Sequence, residues 1–175
     1  LFGLLDAMPN PWQGKTLIFD EGREPRAVQI KQSTITTDQI ALNPKEEKAM
    51  DLFLHQIRHH EALRAEGIIF NRGILLHGPW GTGKTLAAAI FMAEAERHGI
   101  TVLHERSWKR LEQTVNLAKG MQPAVVFCED IDLMQDRTFI NRLDDASEKS
   151  CEVSIIATTN HPEALEDAFK RTGRM

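Results

Sequence analysis

The chain has 175 residues, of which 42% are hydrophobic and 26% charged, with a formal net charge of −4. This length and composition predict one globular domain. The acidic balance disfavours a dedicated nucleic-acid-binding protein, because such a protein needs a basic excess to neutralise phosphates. No apolar run approaches the roughly 20 residues that cross a bilayer, so we expect no membrane-embedded domain in this segment. Two cysteines, Cys128 and Cys151, cannot build a disulfide framework, and we expect a reducing, cytoplasmic location.

The first 37 residues differ in pattern from the rest of the chain. Prolines and glycines, at Pro9, Pro11, Gly14, Gly22 and Pro25, punctuate two short runs that favour β-structure, at 15–20 and 27–32. The turn residues between these runs predict a β-hairpin. We therefore expect an N-terminal segment over 1–37 and a main domain over 38–175, and we expect the sequence to be a piece of a longer protein.

After the N-terminal segment, helical and strand patterns alternate. Asn43, Pro44 and the acids that follow predict a helix start, and Gly67 marks the end of that helix. Short apolar runs predict strands, and apolar residues at helical spacing predict further helices. The strands are predicted at 74–76, 101–103, 124–128 and 153–157, and the further helices at 85–98, 108–119 and 139–146. This alternation is typical of a parallel sheet covered by helices on both faces.

A glycine-rich loop with the pattern GxxxxGK[ST] lies between the first of these strands and the next helix. It consists of Gly78, Pro79, Trp80, Gly81, Thr82, Gly83, Lys84 and Thr85, with Leu86 following. Glycines allow successive backbone N–H groups to face an anion at a helix N-terminus. Lys84 can reach the β- and γ-phosphates, and the Thr85 hydroxyl can ligate Mg²⁺. The loop and its flanking elements predict a nucleotide site.

An acidic pair, Glu129 and Asp130, follows the apolar strand at 124–128. In P-loop proteins, a strand at this place delivers acids to the metal and to the attacking water. The usual order is Asp then Glu, and here it is inverted. By strand register, Glu129 takes the metal position, acting through a bound water, and Asp130 takes the water-activating position. The alternative, in which a local twist exchanges the two roles, stays open.

A third segment completes an ordered set of motifs. Residues 155–160 read Ile-Ile-Ala-Thr-Thr-Asn, and Arg171 and Arg174 follow three residues apart. Together with the glycine-rich loop and the acidic pair, these motifs resemble the AAA ATPases, within the wider AAA+ group, over roughly residues 38–174. The resemblance implies an α/β fold, a P-loop three-layer αβα sandwich with a parallel sheet, whose C-terminal helical lid is absent from this chain.

The resemblance also implies roles for individual residues, with ATP and Mg²⁺ as cofactors. Asn160 would lie near the γ-phosphate and position the attacking water. Arg171 and Arg174 would act as arginine fingers on the nucleotide of a neighbouring subunit, which implies a homo-oligomeric ring, usually a hexamer. Ile40 and Ala41 are placed where family members contact adenine.

The function implied is Mg²⁺-dependent ATP hydrolysis in a ring, coupled to remodelling or unfolding of a protein client. One alternative is an ATP-binding assembly scaffold with weak hydrolysis, suggested by the short Asp130 and by the little room left for the family's pore loop after the strand at 101–103. A DNA-associated protein of the clamp-loader or initiator type is another, and the acidic net charge disfavours it. A small-molecule P-loop kinase would leave Asn160 and the two arginines without a role.

Overall fold

The computed structural model describes residues 10–28, 37–106, 110–131 and 151–162. Its elements are β1 (Thr16–Phe19), β2 (Arg26–Val28), a 3-10 turn (Thr37–Gln39), α1 (Pro44–Arg58), α2 (His60–Ala65), β3 (Gly73–His77), α3 (Lys84–Arg97), β4 (Thr101–Glu105), α4 (Leu111–Lys119), β5 (Ala124–Cys128) and β6 (Val153–Thr159). The predicted strands and helices of the main domain are present within these residues, apart from the helix at 139–146, which lies outside them. Within the same ranges, no helix is both long enough and apolar enough to cross a membrane.

The described strands form one sheet in the order β2-β1-β4-β5-β6-β3. Every neighbouring pair is parallel except β1 and β2, which are antiparallel. Parallel neighbours need crossover connections, and the helices between β3, β4 and β5 provide them. The carboxyl ends of β3, β5 and β6 consequently meet at the same edge of the sheet, where ligands bind in open α/β folds.

The sheet is covered on both faces, as the sequence predicts. Ala124, Val126 and Cys128 of β5 belong to the hydrophobic core on the α4 face, whereas Val125 and Phe127 belong to the core formed with α1 and α3. This alternation is the period of two expected of a strand that is buried on both sides. The three-layer αβα prediction is therefore confirmed.

The predicted hairpin lies at the edge of this sheet. Its two strands pair from Thr16 with Val28 to Ile18 with Arg26. β1 also pairs in parallel with β4, and the Thr16 hydroxyl donates a hydrogen bond to the buried Glu96 carboxylate of α3. The hairpin thus extends the main sheet, and the boundary at residue 37 stays a prediction.

The first helix starts as predicted but ends earlier. The Asn43 side chain accepts hydrogen bonds from the backbone N–H groups of Lys45 and Glu46, and the Glu46 carboxylate accepts from the Asn43 N–H. This capping box stabilises the first turn. The helix ends at Arg58, and α2 begins at His60. The buried His60 ring lies with Nδ1 3.0 Å from the Ile57 carbonyl oxygen, at the junction of the two helices.

Candidate nucleotide-binding site

The glycine-rich loop joins the end of β3 to the start of α3. Gly83 precedes the helix with φ at 87°, a left-handed conformation that favours glycine. At Gly78, φ is 147°, and an added Cβ would lie 3.2 Å from the Thr82 hydroxyl oxygen. Backbone conformation and space therefore both favour glycine at position 78. These two positions explain why the loop needs the glycines that its pattern prescribes.

Side chains of the loop hold its shape. The Lys84 ammonium donates hydrogen bonds to the carbonyl oxygens of Gly78, at 2.8 Å, and Pro79, at 2.9 Å. The Thr82 hydroxyl donates to the same Pro79 carbonyl, also at 2.9 Å. The charged end of Lys84 is thus placed within the loop, where the backbone curls around an anion in P-loop proteins.

The loop forms one wall of a pocket of about 360 Å³. Three segments that are far apart in the sequence meet in it, because they follow β3, β5 and β6. The lining residues are Trp80, Gly81, Thr82, Gly83, Lys84, Thr85, Leu86, Glu129, Asp130, Thr158 and Asn160. The fold therefore brings the loop, the acidic pair and Asn160 together.

Asp130 lies just beyond the end of β5 and has an uncommon backbone conformation. Its φ is +46°, in the left-handed region that Asp and Asn tolerate better than most residues. The Asp130 N–H donates a hydrogen bond to the Thr158 hydroxyl at 3.0 Å. Its carboxylate accepts one from the Asn160 side-chain amide, with Nδ2 and Oδ1 3.2 Å apart. Thr158 of β6 thus contacts the backbone of Asp130, and Asn160, which follows β6, contacts its side chain.

Glu129 contacts β4, which neighbours β5 on the side opposite to β6. Its Oε1 lies 3.2 Å from Nε2 of His104 on β4, and about a third of its side chain is exposed. The contact with His104 lowers the pKa of the Glu129 carboxyl and outweighs the opposing effect of burial, and the positive charge of Arg106 adds to the lowering. The Glu129 carboxylate consequently stays ionised at neutral pH.

His104 and Thr158 belong to the site, and the sequence alone did not single them out. The His104 ring packs against Phe127 with the ring centroids 4.7 Å apart, which places Nε2 beside Glu129. Thr158 carried a usable signal, because it lies two residues before Asn160 and the two share a side of an extended chain. His104 carried none, because its place beside Glu129 depends on the pairing of β4 with β5.

Other predicted site residues are not part of this pocket wall. Ile40 is half-buried and packs against the core of α1 and α3, and Ala41 is exposed. Neither lines the pocket, and their adenine contact stays a prediction. Gly78 and Pro79 contribute carbonyl oxygens that hold Lys84. Arg171 and Arg174 lie outside the described residues.

The chemistry of the lining residues fits a nucleoside triphosphate with Mg²⁺. Lys84 and the backbone N–H groups of the loop offer positive charge to phosphates, while the Thr85 hydroxyl and the Glu129 carboxylate offer oxygen ligands to a hard cation. No group of three or more His, Cys, Asp or Glu side chains that could hold a metal ion by itself occurs in the described ranges.

The parallel sheet, the glycine-rich loop after β3 and the acids at the end of β5 define a P-loop nucleotide-binding protein. A model of the family described as "ATPase family associated with various cellular activities (AAA)" matches residues 74–175, more than half of the chain. The chain belongs to this family.

Curated relatives and a solved structure agree with this assignment. The chain is 31% identical to a Cell division cycle protein 48 homolog of Archaeoglobus fulgidus over 67% of this chain and 19% of that protein. It is 27% identical to a Nuclear valosin-containing protein-like of Mus musculus over 85% of this chain and 20% of that protein. It thus spans about a fifth of the length of each.

A structure reported under the name "Structural Basis for Katanin Self-Assembly" matches with a TM-score of 0.57 and 21% identity, over 82% of this chain and 52% of that chain. This likeness concerns the fold, and it agrees with the three-layer architecture described above.

Proposed function

We propose that this chain binds ATP and hydrolyses it with Mg²⁺, as the catalytic core of an oligomeric AAA protein. The observation that carries the proposal is the hydrogen bond between Asp130 and Asn160 in the pocket that the glycine-rich loop lines. A carboxylate and an amide joined in this way can orient one water molecule between them and the terminal phosphate. Membership of an ATPase family supports the same reaction.

In this proposal, each polar side chain of the pocket has its own role in ATP binding or hydrolysis. Lys84 and the loop N–H groups bind the phosphates, and Thr85 and, through a water, Glu129 hold Mg²⁺. Mg²⁺ held by these residues would supply positive charge to the phosphate oxygens. Asp130 polarises the attacking water, and Asn160 positions it. The backbone turn at Asp130 comes after Glu129, which supports the register-preserving assignment of the two acids.

A homo-oligomeric ring, usually of six subunits, is part of the proposal. Its basis is the spacing of Arg171 and Arg174, which matches the arginine fingers of the family and would complete a neighbour's site. A protein client is proposed from the same resemblance. The net charge of −4 gives no support to a nucleic-acid partner.

The two cysteines are compatible with a reducing, cytoplasmic compartment, which we also propose. Cys128 and Cys151 are free and buried. Burial, with the nearby acids Glu105, Glu129 and Asp130, raises the pKa of the Cys128 thiol to about 12. Such a thiol is protonated and unreactive at neutral pH.

Steady-state phosphate release from the assembled protein tests the proposed function. We expect turnover that requires both ATP and Mg²⁺ and that rises as the protein assembles. ATP-dependent assembly without phosphate release would instead support the scaffold alternative. A size measurement by light scattering at each protein concentration distinguishes this outcome from a failure to assemble.

A further inference from the structure

Thr158 contacts Asp130 just beyond the last paired residues of β5 and β6. The last paired residues of β5 and β6 are Cys128 and Ala157. Beyond them, the Asp130 N–H donates to the Thr158 hydroxyl at 3.0 Å, so a side chain takes the place of a ladder partner. Thr158 is 2% exposed, and water therefore has little access to replace its hydroxyl.

The same edge of β6 also holds the Asp130 side chain. Asn160, two residues after Thr158, donates from its amide to the Asp130 carboxylate. Alternate residues of an extended chain point to the same side, so Thr158 and Asn160 both face Asp130. Thr158 bonds to the backbone N–H of Asp130, and Asn160 bonds to its carboxylate.

Because Asp130 has a left-handed conformation, the hydrogen bond from its N–H to Thr158 is expected to stabilise its backbone. At φ of +46°, a residue with a Cβ persists only where its surroundings hold it. Aspartate also has one torsion fewer than glutamate between backbone and carboxylate, so the place of its carboxylate follows the backbone more closely. Loss of the Thr158 hydroxyl would therefore allow both the backbone and the carboxylate of Asp130 to move.

We propose that Thr158 is a positioning residue, whose hydroxyl fixes the left-handed turn at Asp130 and so aims the carboxylate at Asn160 and the attacking water. The kinetic part of this inference rests on the proposed ATP hydrolysis. The geometric part concerns only the hydrogen bond to the Asp130 N–H.

The test uses Thr158→Val, which removes the hydroxyl at nearly constant volume, and Thr158→Ser, which keeps it. In the assembled protein, we expect Thr158→Val to lower kcat about tenfold with an unchanged ATP Kd, and Thr158→Ser to restore turnover. In the Asp130→Asn background, Thr158→Val should cost less than about twofold, because the two residues act through one group. A merely structural role would give independent, multiplying losses.

A control and a second readout keep the outcome decisive. Ser154→Ala removes another buried hydroxyl of β6, one that has no hydrogen-bond partner among the described residues, and should leave kcat unchanged. Hydrogen–deuterium exchange at the Asp130 amide should be at least about tenfold faster in Thr158→Val. Full turnover in Thr158→Val, or an equal loss in the Asp130→Asn background, would overturn the kinetic role. If the wild-type protein hydrolyses no ATP, the proposed function fails, and unchanged exchange at Asp130 would then also overturn the positioning role.

Discussion

The side-chain amide of Asn160 donates a hydrogen bond to the carboxylate of Asp130, although 30 residues separate them in the chain. Asp130 follows β5 and Asn160 follows β6, and these two strands are neighbours in parallel register. Parallel pairing therefore places both residues at the edge of the sheet where the glycine-rich loop begins. The site depends on strand order as much as on its motifs.

Lys84→Ala should abolish nucleotide binding or cripple hydrolysis while the protein stays folded. The Lys84 ammonium bonds to two carbonyls of a partly exposed loop, so we expect a loss of at most about 1–2 kcal/mol in the free energy of unfolding. Calorimetric ATP titration and a thermal melt measure the two effects. Lys48→Ala, which changes an exposed lysine on α1, is the matched control and should bind ATP normally. Unchanged Mg²⁺-dependent hydrolysis in Lys84→Ala would remove the phosphate-binding role of the loop.

Glu129→Gln should weaken Mg²⁺-dependent ATP binding, because it removes the negative charge proposed to hold the hydrated metal. Binding measured with a chelator in place of Mg²⁺ should change little. The informative quantity is therefore the ratio of the two ATP Kd values in the wild type and in the variant. If Glu129→Gln keeps its Mg²⁺-dependent affinity but stops hydrolysis, the two acids have exchanged roles.

Glu94→Gln should destabilise the helix that follows the loop. The Glu94 side chain is 8% exposed, and its carboxylate accepts hydrogen bonds from Arg58 and Arg97. Burial raises the pKa of Glu94, but the hydrogen bonds and charges of both arginines outweigh it and lower the net pKa. We expect a loss of about 1–3 kcal/mol in the free energy of unfolding at neutral pH.

The stabilisation that Glu94 gains from Arg58 and Arg97 should depend on pH. Because the folded pKa of Glu94 lies below its unfolded value of about 4.3, the stabilisation is complete above that value and is lost as the pH falls through the folded pKa. Denaturant unfolding of wild type and Glu94→Gln should therefore differ at pH of about 7 and converge in acid. Glu24→Gln, in an exposed turn, is the control that should show no such difference. A difference for Glu94→Gln that stays constant with pH would contradict this account.

Arg174→Ala should leave ATP binding near normal and reduce turnover, since its proposed target is the nucleotide of the adjacent subunit. Mixing Arg174→Ala with Lys84→Ala protein should recover some phosphate release, because some interfaces then combine an intact loop with an intact arginine. Normal hydrolysis by assembled Arg174→Ala alone would rule out the arginine-finger role.

Local patterns were sufficient to predict much of the fold and the loop. The capping residues at Asn43 and Glu46 and the apolar run at 124–128 act through neighbours in the chain, and the structure has them where the sequence places them. The glycine-rich loop is also local, since its glycines serve backbone conformations that adjacent residues define.

Features that depend on strand pairing or on burial of one side chain were not predictable in this way. The His104 contact with Glu129 requires β4 to lie beside β5. At the left-handed turn, the Asp130 N–H donates to the Thr158 hydroxyl of a neighbouring strand. The end of α1 at Arg58 coincides with the contact between the buried His60 ring and the Ile57 carbonyl oxygen. Helical periodicity continues through this point and gave no sign of it.

Single-turnover hydrolysis by Asp130→Asn, compared with its ATP affinity, tests the central claim most directly. The amide keeps the size and the backbone contacts of Asp130 but removes the carboxylate that polarises water. We predict an ATP Kd near that of the wild type and a hydrolysis rate lower by about 10²–10⁴-fold, so that the protein accumulates with ATP bound. Hydrolysis at the wild-type rate in Asp130→Asn would contradict the account.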